Sequence, residues 1–214
     1  MKEKECCHAE DERRALYRRI FGAVFALIIL ILLIILLIYL ILRPTKPQFI
    51  LQDATVFAFN MTSPNLLTSN LQVTLSSRNP NARIGIYYDR ASVYASYRGQ
   101  QFTLRTLLPS TYQGHKDVVV WSPFVFGDDV PVAPYLTAAL TEDQMTGTVL
   151  IKIKVDGWIR WKVGTWISGH YHLHVTCPAF VNFGGATQNT GVVGIPVGPP
   201  AIKVQLVQGC TVDV

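Results

Sequence analysis

Residues 21–42 read FGAVFALIILILLIILLIYLIL, 22 residues without a charge in which only Gly22 and Tyr39 depart from an aliphatic and Phe composition. At a helical rise of 1.5 Å per residue the run reaches about 33 Å, against a hydrocarbon core of about 30 Å. Inside lipid each backbone N–H and C=O must be bonded within the segment, which for a single run leaves only a helix. The predicted organisation is therefore one transmembrane helix with two flanks of very different length.

The flanks differ in charge as well. Lys2, Lys4, Arg13, Arg14, Arg18 and Arg19 precede the run, whereas only Arg43 and Lys46 fall in the twenty residues after it. The positive-inside bias places the short flank in the cytosol. A secretory leader would have a shorter apolar core and small residues at a cleavage site, but this run passes directly into Arg43-Pro44, so an uncleaved signal anchor is expected. The terminal QGCTVDV carries neither the apolar tail of a lipid-anchor signal nor a KDEL-type retention signal. The expectation is a single-pass chain of the plasma membrane or the endoplasmic reticulum. It divides into a cytosolic tail (1–20), the signal-anchor helix (21–42), a membrane-proximal linker (43–52) and one external domain (53–214).

The 172 residues beyond the helix suffice for one globular core. Thirteen basic and nine acidic residues are scattered through them, the pattern of a solvated surface rather than of a polyanion groove, so no nucleic acid partner is expected. Four cysteines divide between the compartments. Cys6 and Cys7 fall in the reducing cytosol, where they are candidates for reversible acylation, while Cys177 and Cys210 fall where a bridge can persist. The external part also holds a glycosylation sequon, Asn60-Met61-Thr62.

Strand periodicity dominates the external part. From Val149 to Val163 the odd positions are Val149, Ile151, Ile153, Val155, Gly157, Ile159, Trp161 and Val163, and the even ones include Lys152, Lys154, Asp156, Arg160 and Lys162. Period two over fifteen residues predicts a half-buried strand. Asp156-Gly157 resembles a hairpin turn, but a turn there would break the parity, so one long strand bent at Gly157 is expected. Shorter alternations lie at 55–59, 71–75, 84–88, 93–97, 102–104, 118–126, 171–175 and 202–206. Only 133–143 looks helical, with Tyr135, Leu136, Ala139 and Leu140 at helical spacing. Many strands and one short helix without β-α alternation predict an antiparallel β-sandwich. The glycine- and proline-rich stretch 182–200 is predicted to be an irregular loop. Cys177 continues the apolar row Tyr171, Leu173, Val175, and Cys210 continues Ile202, Val204, Leu206. Both thiols then lie on apolar faces, which favours a bridge over two buried free thiols.

Chemistry has few carriers in this sequence. His170, His172 and His174 share one strand face at about 6.7 Å spacing, and two imidazoles in an H-x-H arrangement can hold zinc if a third ligand arrives from elsewhere. A solvated strand face is the competing reading, since no carboxylate or cysteine nearby in sequence completes a site. Nucleophile elbows, HExxH pairs, Walker loops and dinucleotide fingerprints do not occur, so neither an enzyme nor a cofactor is expected. Trp161 is expected in the core by parity, whereas Trp158 falls on the charged face, where a sugar could stack.

Several motifs together resemble the plant harpin-induced-like, non-race-specific disease-resistance-like proteins: Arg43-Pro44 with Pro47 and Phe49, Asn79-Pro80-Asn81 followed by IGIYYD, Tyr112-Gln113-Gly114, and Trp161-Lys162-Val163-Gly164 ahead of Cys177. The resemblance implies a late embryogenesis abundant group-2 domain built as a seven-stranded, fibronectin type III-like sandwich. It also implies plasma-membrane residence, with plasmodesmata as an alternative location, and a part in defence or stress responses, with no catalytic residues. For Asn79-Pro80-Asn81 the physical expectation is a turn, because Pro80 fixes its own φ and asparagines bond their own backbone. The first functional reading is a non-enzymatic surface protein whose partners are the bilayer and a wall component, an unidentified protein or a second copy of the chain. A membrane-stabilising stress protein ranks second, and a carbohydrate-binding or plasmodesmal protein third.

Overall fold

The computed structural model describes residues 2–41, 44–63, 65–182 and 202–214, and the chain divides into two compact units, Met1–Arg43 and Pro44–Val214. The first unit is a helix, α1 (Lys2–Ile41). Within it Leu16–Leu37 is long and apolar enough to cross a membrane, judged by length and composition. The charged tail before the apolar run is helical because it continues a helix already nucleated by that run. Leu42 and Arg43, at the predicted end of the span, lie outside the described residues.

The second unit is two antiparallel sheets with a short helix. Its elements are β1 (Gln48–Ser63), β2 (Leu66–Arg78), β3 (Gly85–Tyr97), β4 (Gln100–Gln101), β5 (Thr106–Leu107), β6 (Thr111–Gln113), β7 (Val118–Trp121), β8 (Phe124–Pro131), α2 (Pro134–Met145), β9 (Thr148–Val163), β10 (Trp166–Ile167), β11 (Tyr171–Asn182), β12 (Ile202–Gly209) and β13 (Thr211–Asp213). The first sheet runs β12-β1-β2-β7, with β8 also on β2; the second runs β13-β11-β9-β3-β4, with β10 on β9 and β5 and β6 on β3. Among the described residues there are thus thirteen strand segments rather than seven; only seven of them have eight or more residues. β1 begins at Gln48, inside the stretch predicted to be a linker. Burial explains this: Pro47, Phe49 and Leu51 point into the core.

β9 is one unbroken strand whose odd side chains from Val149 to Trp161 are buried. They meet Leu51, Val56, Leu71, Val73 and Leu75 of the facing sheet in a single apolar core. The glycine at position 157 has a specific cause. β3 carries a bulge between Asp89 and Ser92, with Arg90 at φ 49°, and it presses Ala91 onto β9. A Cβ on residue 157 would lie 2.5 Å from Ala91 Cα. Gly157→Ala is therefore expected to cost about 1–3 kcal/mol, read as a lower urea midpoint with an unchanged m-value.

Two local predictions are corrected. Residues 102–104 form no strand; the Phe102 N–H bonds Ala95 O in the second sheet and the Leu104 N–H bonds Phe126 O in the first, so the segment bridges the two. Residues 118–126 split at Ser122-Pro123, where proline lacks a ladder donor. α2 falls where the sequence looked helical; within it only Leu136 and Leu140 are buried, one turn apart, whereas Tyr135 is exposed. The stretch expected to be an irregular loop, 182–200, lies outside the described residues beyond Asn182.

Candidate functional site

Strand pairing gathers the sequence motifs into two places. The first is a buried polar hub at one end of the domain. Asn79 is fully buried; its Nδ2 donates to Ile84 O (2.7 Å) and Gly114 O (2.8 Å), and its Oδ1 accepts from Asn81 N (3.0 Å) and Asn81 Nδ2 (2.9 Å). The tripeptide is a turn, as its chemistry predicts, but one stitched to residues far along the chain. Asn81 clasps the backbone of Thr45, accepting from its N–H at 2.9 Å and donating to its carbonyl at 2.8 Å. The hydrogen bonding of the domain thereby begins at Thr45.

Tyr112-Gln113-Gly114 joins the same hub. Gln113 is fully buried and donates to Ser77 O (2.7 Å) and Asp117 O (2.9 Å) while accepting from Tyr88 Oη (2.8 Å). The Ser77 hydroxyl bonds Tyr88 Oη at 2.8 Å, and burial pushes the Tyr88 phenol well above its ordinary pKa, so it stays a neutral donor. Phe49 and Trp121 close over the Tyr88 ring, at 6.1 and 5.2 Å between centroids. Tyr112 covers Gly85, where an added Cβ would lie 2.5 Å from its hydroxyl, and its ring packs 4.6 Å from that of Tyr87. The hub reads as architecture: the side chains of Asn79, Gln113 and Tyr88 bond to partners within the domain.

The second place is the outer face of the second sheet. His172 and His174 on β11 stand beside Asp156 on β9, because the register pairs His174 with Asp156 and His172 with Trp158. Asp156 Oδ1 lies 3.0 Å from His172 Nε2 and 3.6 Å from His174 Nδ1. Sequence proximity showed no carboxylate here; strand register supplies one. His170, expected on the same strand face, precedes the start of β11 at Tyr171 and stands apart, its Nε2 3.8 Å from Asp89 Oδ2, where Asp89 also pairs with Arg160. Next to the cluster Asp89, Arg90, Ser110, Trp158, Arg160 and His170 line an open cleft of about 710 Å³. Trp158 is half-exposed there, with its ring 4.7 Å from that of His172, while Trp161 is buried.

Cys177 and Cys210 form a disulfide, with their Cα atoms 4.3 Å apart. Cys210 is the residue at which the chain leaves β12 in the first sheet and enters β13 in the second. The bridge pins that crossing to β11. Asn60 is exposed on β1, and Cys6 and Cys7 fall within α1.

Comparison with known proteins agrees with these motifs. The chain is 55% identical over 213 residues to NDR1/HIN1-like protein 1 of Arabidopsis thaliana, covering 99% of this chain and 100% of that one. It belongs to the NDR1/HIN1-like family. Two further Arabidopsis members of this family are NDR1/HIN1-like protein 12, 56% identical with coverage of 92% and 91%, and NDR1/HIN1-like protein 26, 44% identical with coverage of 67% and 68%. The family model described as late embryogenesis abundant protein matches residues 74–177, which in this NDR1/HIN1-like chain run from β2 to the bridged Cys177. The solution structure of a late embryogenesis abundant protein aligns with 64% of the chain and 71% of its own at 14% identity and a TM-score of 0.32. NDR1/HIN1-like membership suggests a part in plant stress or defence responses.

Proposed function

We propose that the chain is a single-pass protein of the plant plasma membrane that acts in defence or stress responses as an anchored, non-enzymatic surface domain. Residues 1–20 lie in the cytosol and the sandwich, akin to fibronectin type III, lies outside. The observation that carries this reading is the Cys177–Cys210 bridge on a chain whose N-terminal helix is apolar enough to span a bilayer. Disulfides persist in oxidising compartments, and the six basic residues before the helix favour a cytosolic N-terminus. On this topology Asn60 is open to glycosylation, Cys6 and Cys7 are open to acylation, and the outer surface meets a wall component, a protein or another copy of the chain. The domain is held by its own hydrogen bonds from Thr45 onward.

The test replaces residues 1–42 with a cleavable secretory leader, so that the same domain is released instead of anchored. Loss of the protein's effect on pathogen growth in leaf tissue, with the released domain present in the wall fluid, is the expected result. Equal activity of the released domain would contradict anchored display.

A further inference from the structure

We propose that His172, His174 and Asp156 form a binding site for a late first-row divalent cation, with zinc as the fitting occupant. The three donors come from two adjacent strands of one sheet, so backbone ladders fix their spacing. Their ligand atoms all lie within 4.8 Å of one another. A tetrahedral zinc with bonds of about 2.0–2.1 Å sets its ligand atoms about 3.3 Å apart. The Oδ1 to Nε2 and Nδ1 distances, 3.0 and 3.6 Å, bracket that value.

The carboxylate is prepared for a further partner. Asp156 Oδ1 is buried, lies against the two imidazole nitrogens without a hydrogen bond of good geometry to either, and Oδ2 is bonded by Arg105 Nη1 at 3.1 Å. Leaving a buried carboxylate oxygen without a hydrogen bond is costly, and a cation between it and the two imidazoles removes that cost. Arg105 then acts as the outer-shell group that orients the ligand. His172 is held from both sides, with the Trp158 ring at 4.7 Å and the His174 ring at 4.0 Å. Both imidazoles reach solvent, at 40% and 58% side-chain exposure, so a cation can enter and its fourth position is left to water or an external donor. Two nitrogens and one carboxylate suit zinc or copper rather than calcium or magnesium, which take oxygen ligands.

The experiment uses the full chain in detergent micelles, free of affinity histidines and carrying Cys6→Ser, Cys7→Ser and His8→Asn to silence the tail. Zinc is titrated against a chromophoric chelator at neutral pH. One zinc per chain is expected, with His172→Ala, His174→Ala and Asp156→Asn each weakening it by at least about tenfold. His170→Ala, whose imidazole faces Asp89 instead, is expected to leave the affinity unchanged. Cobalt in place of zinc is expected to give tetrahedral visible bands that the His172→Ala chain lacks. Absence of stoichiometric binding, or equal affinity in the His172→Ala and Asp156→Asn chains, would overturn the proposal. Unchanged metal-free melting of these variants separates lost ligation from lost fold.

Discussion

Asn79→Ala is expected to lower the unfolding free energy of the domain by about 4 kcal/mol, since each buried group left without its partner costs about 1–3 kcal/mol. The substitution strips donors from Ile84 O and Gly114 O and removes the acceptor shared by the Asn81 backbone and side-chain amides. Asn81 then loses the contact that holds it against Thr45, so the first strand should fray from its start. Urea unfolding followed by tryptophan fluorescence checks the magnitude. Asn79→Asp makes the test sharper. An aspartate keeps the shape and the acceptor but turns an oxygen toward two carbonyls, so it should be at least as damaging as alanine. An Asn79→Asp chain as stable as the parent would refute the hub as described.

Loss of the disulfide is the second large effect. In the chain-entropy model, a bridge closing 33 residues stabilises by about 4 kcal/mol. Cys177→Ser with Cys210→Ser is expected to lower the unfolding free energy by about that much, and reduction of the parent chain should match it. The damage should also be local. Cys210 sits between the two sheets, its N–H bonded to Phe49 O at 3.0 Å, and β13 is only three residues long. Freed from β11, that end should exchange its amide hydrogens before the rest of the domain opens. A reduced chain with parent-like stability and uniform protection would contradict the pinning role.

What could be read in advance depended on the range of the interaction. The β9 parity was legible because alternation is written in adjacent residues and Gly157 preserved it. Even there the reason for glycine was hidden, since Ala91 approaches from a strand 66 positions away. The strands at 55–59, 71–75 and 171–175 were visible for the same local reason, but their full lengths were not. β1 reaches back to Gln48 because Phe49 meets Tyr88 and Trp121, partners no local pattern reveals. The Cys177–Cys210 pair was legible through the parity of two apolar rows.

Polar burial was the least visible feature. Asn79 and Gln113 look like surface residues in the sequence, and their burial follows from bonds to residues 35 and 36 positions away. The face shared by His172 and His174 was legible, because alternate residues of a strand share a side. Its carboxylate was not, because placing Asp156 beside His174 requires the β9–β11 register, and one residue of slip would turn Asp156 to the opposite face. His170 was grouped with the others by spacing alone and instead faces Asp89 of β3.

The topology claim is tested most directly by protease protection. Sealed microsomes containing the full chain with a C-terminal epitope are digested with and without detergent. The account predicts that the epitope and the Cys177–Cys210 domain survive until detergent is added, while an N-terminal epitope is lost at once. Digestion of the C-terminal epitope in sealed vesicles would put the sandwich in the cytosol. That result would contradict surface display and remove the oxidising compartment on which the bridge and the Asn60 glycan depend.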